Sequence, residues 1–439
     1  MNEKTVLSKK KATVIGFAGL THLGLNSAVA SAAKGFSVIG YHDDEDLVIQ
    51  LNKGKPHVLE PQLSELLNQH REKLTFSAEL NCLESCDLVY IAVDVPTDDH
   101  GKSDLTPIKE MIDCAATTMG QDALLVILSQ VPPGFTRTLN WPVEHLFYQV
   151  ETLIFGRAME RALHPERFIL GCADPTQLLQ PKLFEYLNAF ECPLLPMRYE
   201  SAELAKISIN MCLVASVSTA NTLAEICENI GANWSEIVPA LRLDKRIGPY
   251  SYLKPGLGIA GGNLERDLAT VLSYAQKYQT DGGVVSAWLD NSKHRKDWAW
   301  MTLNDLVLKK QLHPKIAVLG LTYKENTHSL KNSPSIALLN RLQDQTITAF
   351  DPVAEADAVN QKIVRTGSAL VATEQADVLL VMTPWPEFRS ITAHDLEKSM
   401  TGRIVIDPYR VLDGTELVEK GFIYATLGES VRQPQGVSD

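Results

Sequence analysis

The chain has 439 residues, an apolar share of 45% and a charged share of 21%, the proportions of a globular protein of two or three domains. Its formal charge of −12 argues against a nucleic-acid binder, because a phosphate backbone is held by a basic face. The seven cysteines (Cys82, Cys86, Cys114, Cys172, Cys192, Cys212 and Cys227) are odd in number and mostly lie inside apolar runs. That argues against a disulfide framework and for reduced thiols in a cytoplasmic protein. Cys82 and Cys86 have no second Cys or His pair beside them, so no metal site is expected.

Lys9-Lys10-Lys11 and the apolar run after them imitate a secretory leader. The same run also reads as strand, glycine turn and helix, and a second strand ending in acids follows, which a leader does not predict. Residues 12–18 are short, branched and apolar, as in a buried parallel strand. They enter the turn Gly19-Leu20-Thr21-His22-Leu23-Gly24. Residues 25–34 read as a helix, Gly35 ends it, and 36–41 form the next strand. This order lays a helix N-terminus against a pyrophosphate. Thr21 stands where the fingerprint has its middle glycine, which lets the backbone approach the phosphates. His42 takes the first position beyond the second strand, with Asp43 and Asp44 after it. Acid there favours NAD over its 2′-phosphorylated form. Strands at 87–93 and 124–127 complete the Rossmann expectation.

Residues 198–231 are the spine of the chain. They contain no proline, and their only glycine is at the end, where a helix stops. At 1.5 Å per residue about 30 residues span roughly 45 Å. Lys206 and Asn210 share one face, with Glu203 one turn earlier. A lysine and an amide on an inner face require polar groups opposite them. No run of 18 apolar residues lacks turn chemistry, so no membrane span is expected. The α/β pattern returns at 315–321, 346–350, 378–382 and 404–406, with a helix at 335–342.

A set of ordered motifs carries a family resemblance. These are Leu59-Glu60-Pro61-Gln62-Leu63, Val95-Pro96 with Gly101-Lys102-Ser103-Asp104-Leu105, Val131-Pro132-Pro133-Gly134 and His164-Pro165-Glu166-Arg167. Ser201 to Lys206 with Asn210, Asp244 to Gly248, Leu319 to Lys324, Ser333-Pro334, Asp351-Pro352, Thr383 to Phe388, and Asp407 with Arg410 follow. Over about residues 12–428 the chain resembles the UDP-glucose/GDP-mannose dehydrogenase family, cytoplasmic enzymes that use two NAD molecules to oxidise a sugar-nucleotide alcohol to a carboxylate. The resemblance implies an α/β fold of two doubly wound Rossmann-like domains joined by a long helix and a central helical region. It divides the chain into an NAD domain (1–197), a helical dimerisation domain (198–300) and a UDP-binding domain (301–439). It also implies a homodimer through the 198–231 helix, and a nucleotide-sugar substrate, a UDP-sugar foremost.

By the same resemblance Lys206 and Asn210 steady the developing alkoxide, Asp267 supports them, and Glu151 stands at the family's glutamate of P-E-F-L. Gly19, Thr21, His22, Leu23, Gly24, Asp43, Val95, Pro96, Gln130 and Arg266 fall at cofactor positions. Arg246, Tyr252, Gly258, Gly261, Lys324 and Arg410 fall at substrate positions. The main departure is Asn263, at the position of the family's nucleophilic cysteine. Nearby, Gln130 replaces a threonine, Phe155 a second acid and Arg266 a lysine. His328 and Ser329 stand where acids are usual. An amide cannot form the thiohemiacetal from which a second hydride leaves. Three readings follow: a two-electron NAD oxidoreductase, a non-catalytic homologue that binds nucleotide sugar or NAD, and a four-electron enzyme working without a thiolate.

Overall fold

The computed structural model describes residues 12–98, 103–311, 313–354 and 363–434. Lys9 to Lys11, and Gly101 with Lys102, lie outside the described residues. The chain forms two compact units, one ending at Ser208 and the other starting at Ile209.

The first unit holds an eight-stranded sheet. Its strands are β1 (Val14–Ala18), β2 (Ser37–Tyr41), β3 (Leu74–Ser77), β4 (Leu88–Ile91), β5 (Leu124–Ile127), β6 (Leu146–Gln149), β7 (Phe168–Cys172) and β8 (Leu194–Arg198). Their order is β3-β2-β1-β4-β5-β6-β7-β8. β6 and β7 pair antiparallel and the other neighbours pair parallel. Ile15, Phe17, Leu88, Tyr90 and Val126 are buried in one core with Leu25, Ala28 and Val29 of the helix His22–Ala33. Crossover helices cover such a sheet, which is why its central strands are apolar on both faces. The helix begins at His22, three residues before the expected start: Gly19 turns the chain at φ +100°, and Gly24 falls inside the helix.

The second unit holds a six-stranded parallel sheet, β11-β10-β9-β12-β13-β14. The strands are β9 (Lys315–Leu319), β10 (Thr346–Phe350), β11 (Ile363–Arg365), β12 (Val378–Val381), β13 (Ile404–Ile406) and β14 (Ile423–Ala425). Before them come the helices Trp234–Leu243, Asn263–Tyr278 and Gly283–Lys296. Asp351, at the tip of β10, is buried and accepts from the amides of Leu321 (2.7 Å), Thr322 (3.1 Å), Val353 (3.0 Å) and Ala354 (2.9 Å). An acid at that place in the first sheet would meet a ribose, but here the carboxylate is committed to backbone.

The spine is one helix, Tyr199–Ile230, of 32 residues. Gly231 follows at φ +75°, the left-handed residue that ends a helix. By length and composition this helix is apolar enough to cross a membrane, a property that a long core helix of a globular protein shares. Its polar residues are nonetheless bonded to protein. Asn221 accepts from the Gly256 amide at 2.8 Å, and Glu228 accepts from Arg295 at 3.0 Å and from the Trp298 indole at 2.9 Å.

Candidate functional site

In the first unit the glycine turn is shaped by contact. Gly19 has φ +100°, and a Cβ there would lie 2.8 Å from Val93 Cγ1 and 2.9 Å from the Ala92 carbonyl. A Cβ on Gly24 would lie 1.9 Å from the Gly19 carbonyl oxygen. Neither position admits a side chain. The first amides of His22–Ala33 therefore stand at the carboxyl ends of the central strands without helical partners. That is a seat for a diphosphate, so the residues present fit NAD, which supplies a hydride acceptor when bound.

The Thr21 hydroxyl donates to the Ala92 carbonyl at 3.1 Å and makes no cap to the helix. Thr21 thus adds bulk at the seat while its donor is spent on the strand. Thr21→Gly is expected to tighten NAD binding about tenfold if backbone approach is the limit. Titration calorimetry checks this, and absence of NAD binding by both proteins would reject the seat.

Beyond β2, Asp44 accepts from the Leu47 amide at 3.0 Å and caps the helix Glu45–Asn52. Its own amide donates to His42 Nδ1 at 3.1 Å. Asp43, the acid expected to meet ribose hydroxyls, is exposed, with Oδ1 3.1 Å from His42 Nδ1. Val95 and Gln130 are half-buried and Pro96 is exposed, in the loops after β4 and β5. Leu23 is half-buried on the first helical turn.

Lys206 donates from Nζ to the Glu151 carbonyl at 2.9 Å and to Glu151 Oε2 at 3.1 Å. Their side chains are 14% and 18% exposed, so this pair is not a solvated surface bridge. One turn earlier Glu203 is fully buried. It accepts from the Thr136 amide at 2.8 Å and from the Gly134 amide, and burial pushes its carboxyl up from the ordinary value. Glu203 fastens the Val131-to-Gly134 loop, a role the sequence reading did not assign. The available signal was an acid on the inner face of the spine.

In the second unit Asn210 donates from Nδ2 to Asp267 Oδ2 at 2.5 Å, and Arg266 Nε donates to Asp267 Oδ1 at 3.3 Å. Asp267 and Arg266 are both buried. Arg266, expected at a cofactor position, has its guanidinium on this acid. Asn263 is the first residue of the helix Asn263–Tyr278 and is exposed. A thiol at that point would be activated by the helix N-terminus, whereas an amide is not.

The glycine loop before Asn263 is tightly fixed. Gly258 has φ +74°, with a Cβ position 2.4 Å from the Ser292 carbonyl oxygen. Gly261 has φ +85° and packs against the Tyr323 ring, 3.1 Å from its Cβ position. The Ile259 amide donates to Ser292 Oγ at 2.7 Å.

Farther along, Lys324 Nζ lies 5.8 Å from the centroid of the Tyr323 ring. Arg410 has φ +55°. It donates to Ser235 Oγ at 3.1 Å and Asn233 Oδ1 at 3.2 Å, and pairs with Glu429 at 3.5 Å. It lines a cavity of about 330 Å³ with Trp234, Arg242, Lys254 and Tyr409. Arg246 is 89% exposed and folds back on Asp244 at 2.6 Å, and Tyr252 is half-exposed.

Asp407, ahead of Arg410, accepts from the amides of Leu412 (2.8 Å) and Tyr409 (3.2 Å). Burial pushes its carboxyl up to about 6. The folded chain therefore holds this proton more tightly than the unfolded chain. The resulting stabilisation is present below the ordinary carboxyl value near pH 4 and is lost as pH rises through about 6. Asp407→Asn is expected to gain stability relative to the natural chain between about pH 4 and 7. Thermal melts across that range check the sign.

A mostly parallel sheet with a glycine turn, an acid beyond β2 and a half-buried lysine–glutamate pair fits a Rossmann domain of the dinucleotide-binding kind. Models of the UDP-glucose/GDP-mannose dehydrogenase family match in three successive parts: the NAD binding domain over residues 11–187, the central domain over 200–293 and the UDP binding domain over 317–414. The chain belongs to this family, whose members are NAD-dependent nucleotide-sugar dehydrogenases. UDP-glucose 6-dehydrogenase of Rickettsia bellii (strain RML369-C) is 28% identical over 433 residues, covering 95% of this chain and 100% of that protein. UDP-glucose 6-dehydrogenase TuaD of Bacillus subtilis (strain 168) is 28% identical over 442 residues, covering 95% and 93%. The structure of a UDP-glucose dehydrogenase from the archaeon Pyrobaculum islandicum superposes with a TM-score of 0.83 at 23% identity, over 97% of this chain and 100% of that one.

Proposed function

We propose that this protein oxidises an alcohol of a nucleotide sugar, a UDP-sugar foremost, by one hydride transfer and stops at the carbonyl. The observation that carries this reading is Asn263 at the first position of its helix, where the reaction to a carboxylate calls for a thiol. None of the seven cysteines lies in the 258–267 loop, and exposed Cys114 belongs to the helix Thr106–Thr118. Burial raises Cys82, Cys86, Cys172, Cys192 and Cys227 above the ordinary thiol value, Cys86 to about 12. Cys212 is exposed on the spine helix, two residues past Asn210. At 3.6 residues per turn it points to roughly the opposite side of the helix.

Lys206 and Asn210, one turn apart on one helix, supply a charge and an amide donor for the alkoxide oxygen. The Glu151 carboxylate, already receiving the Lys206 ammonium, is placed to pass on the hydroxyl proton. Lys324 and Arg410 serve the nucleotide end, and Arg246 and Tyr252 the sugar.

The domains divide near residues 197 and 300, and the working form is a cytoplasmic homodimer. The spine helix supports this, since Leu204, Leu223, Ile226 and Ile230 are exposed along it at 40–69%, an apolar stripe that a second copy would cover. NADH counted per molecule of UDP-sugar tests the reaction. One supports it, none makes the protein a binding homologue, and two would establish a four-electron enzyme without a thiolate.

A further inference from the structure

The Leu59-to-Leu63 motif has no part in the chemistry above, yet its Glu60 is a junction of the first unit. The Glu60 side chain is wholly buried. It accepts from His22 Nε2 at 2.7 Å, from the Gly156 amide at 2.7 Å and from the Ala158 amide at 3.2 Å. A carboxylate only accepts, so the His22 proton sits on Nε2. His22 is the first residue of the helix that forms the diphosphate seat. Gly156 lies in the loop after β6 that carries Glu151, the partner of Lys206, and Ala158 is the first residue of the helix Ala158–Leu163 that ends this loop. The His22 ring also packs on Phe155, with centroids 4.1 Å apart. One buried carboxylate thus joins the cofactor seat to the loop that holds the reactive pair.

We infer that Glu60 is a positioning residue that couples occupancy of the NAD seat to the loop carrying Glu151. A diphosphate on the first helical turn fixes His22, and His22 fixes Glu60. Glu60 in turn holds the Gly156 and Ala158 amides, and through them the Glu151 carboxylate against Lys206. Burial makes the link strong, because a charge with a missing partner has no water to replace it. The coupling is reciprocal, so whatever loosens the loop weakens NAD by the same factor. The inference rests on the proposed NAD seat and does not depend on whether one or two hydrides are removed.

Hydrogen exchange of the full-length protein, with and without saturating NAD, tests it. In the natural chain NAD is expected to slow exchange of the 151–158 amides by at least about fivefold. His22→Ala cuts the seat from Glu60 but leaves Glu60 on its two amides. Gly156 and Ala158 should then exchange normally without NAD, and the NAD-induced slowing should vanish. His22→Gln restores a donor and should restore part of the effect. Amides of β6 and β7 report general loosening, which a merely structural role would produce. Should His22→Ala loosen the whole unit, Glu60→Gln carries the test, with fast exchange at Gly156 and Ala158 and no response to NAD. Equal slowing in the natural chain and these variants, or none in an NAD-bound natural chain, overturns the coupling. Calorimetry showing no NAD binding to the natural chain overturns the seat, and the coupling with it.

Discussion

Lys206→Ala is expected to lower turnover of a UDP-sugar by at least about a hundredfold to a thousandfold while leaving the fold and nucleotide-sugar binding nearly intact, the scale for removing one oxyanion-stabilising group. The charge of Lys206 matters most for an alkoxide that exists only near the transition state, so its loss falls on kcat more than on KM. Lys206 donates twice to Glu151, and its removal leaves that half-buried carboxylate without its cation. The loop after β6 remains anchored by Glu60 through Gly156 and Ala158, so the deletion is local. Steady-state kinetics beside equilibrium binding of the UDP-sugar separates the cases. An equal loss in binding and rate would make Lys206 a ground-state contact.

Much of this arrangement was legible in the sequence. The central strands β1, β4, β5, β9 and β12 show as short apolar runs, because they are buried on both faces and tolerate little polarity. The 32-residue spine shows because nothing breaks it between Tyr199 and Gly231. Strands β3, β6, β7, β8, β11 and β14 were not read. β8 contains Pro196 and is mostly exposed, and β11 has three residues, so neither has a period long enough to register.

The polar partners that the Lys206 and Asn210 face required are Glu151, 55 residues away, and Asp267, 57 residues away. Helical spacing predicts that such partners exist, and only the fold or a family pattern says which. Glu60 and Glu203 escaped for the same reason. A carboxylate bonded to backbone amides leaves no trace in the identity of the residues it holds.

The natural chain is expected to accumulate no covalent adduct with its substrate, and its product is expected to react with carbonyl reagents. Neither follows from Asn263 alone, since a thiol elsewhere in reach would serve. Six of the seven cysteines argue against that: five are raised by burial, and exposed Cys212 is turned from Asn210. The seventh, exposed Cys114, belongs to the helix Thr106–Thr118 and not to the 258–267 loop. Asn263→Cys would place a thiolate at a helix N-terminus, where the peptide dipoles favour the charged form. Adduct formation is therefore expected to appear in this variant. Efficient acid formation is not, because the second step needs a thioester to be hydrolysed. Gln130 and Phe155 occupy positions where the family resemblance places a threonine near the water and a second acid. The Phe155 ring packs on His22, which leaves no carboxylate there to take a proton from water. Intact-mass spectrometry and product analysis after exhaustive NAD turnover test both proteins. A uronic acid with two NADH per sugar from the natural chain would sink the two-electron reading. The same result from Asn263→Cys alone would show that Gln130 and Phe155 are no obstacle, and that the missing thiol is the whole of the departure.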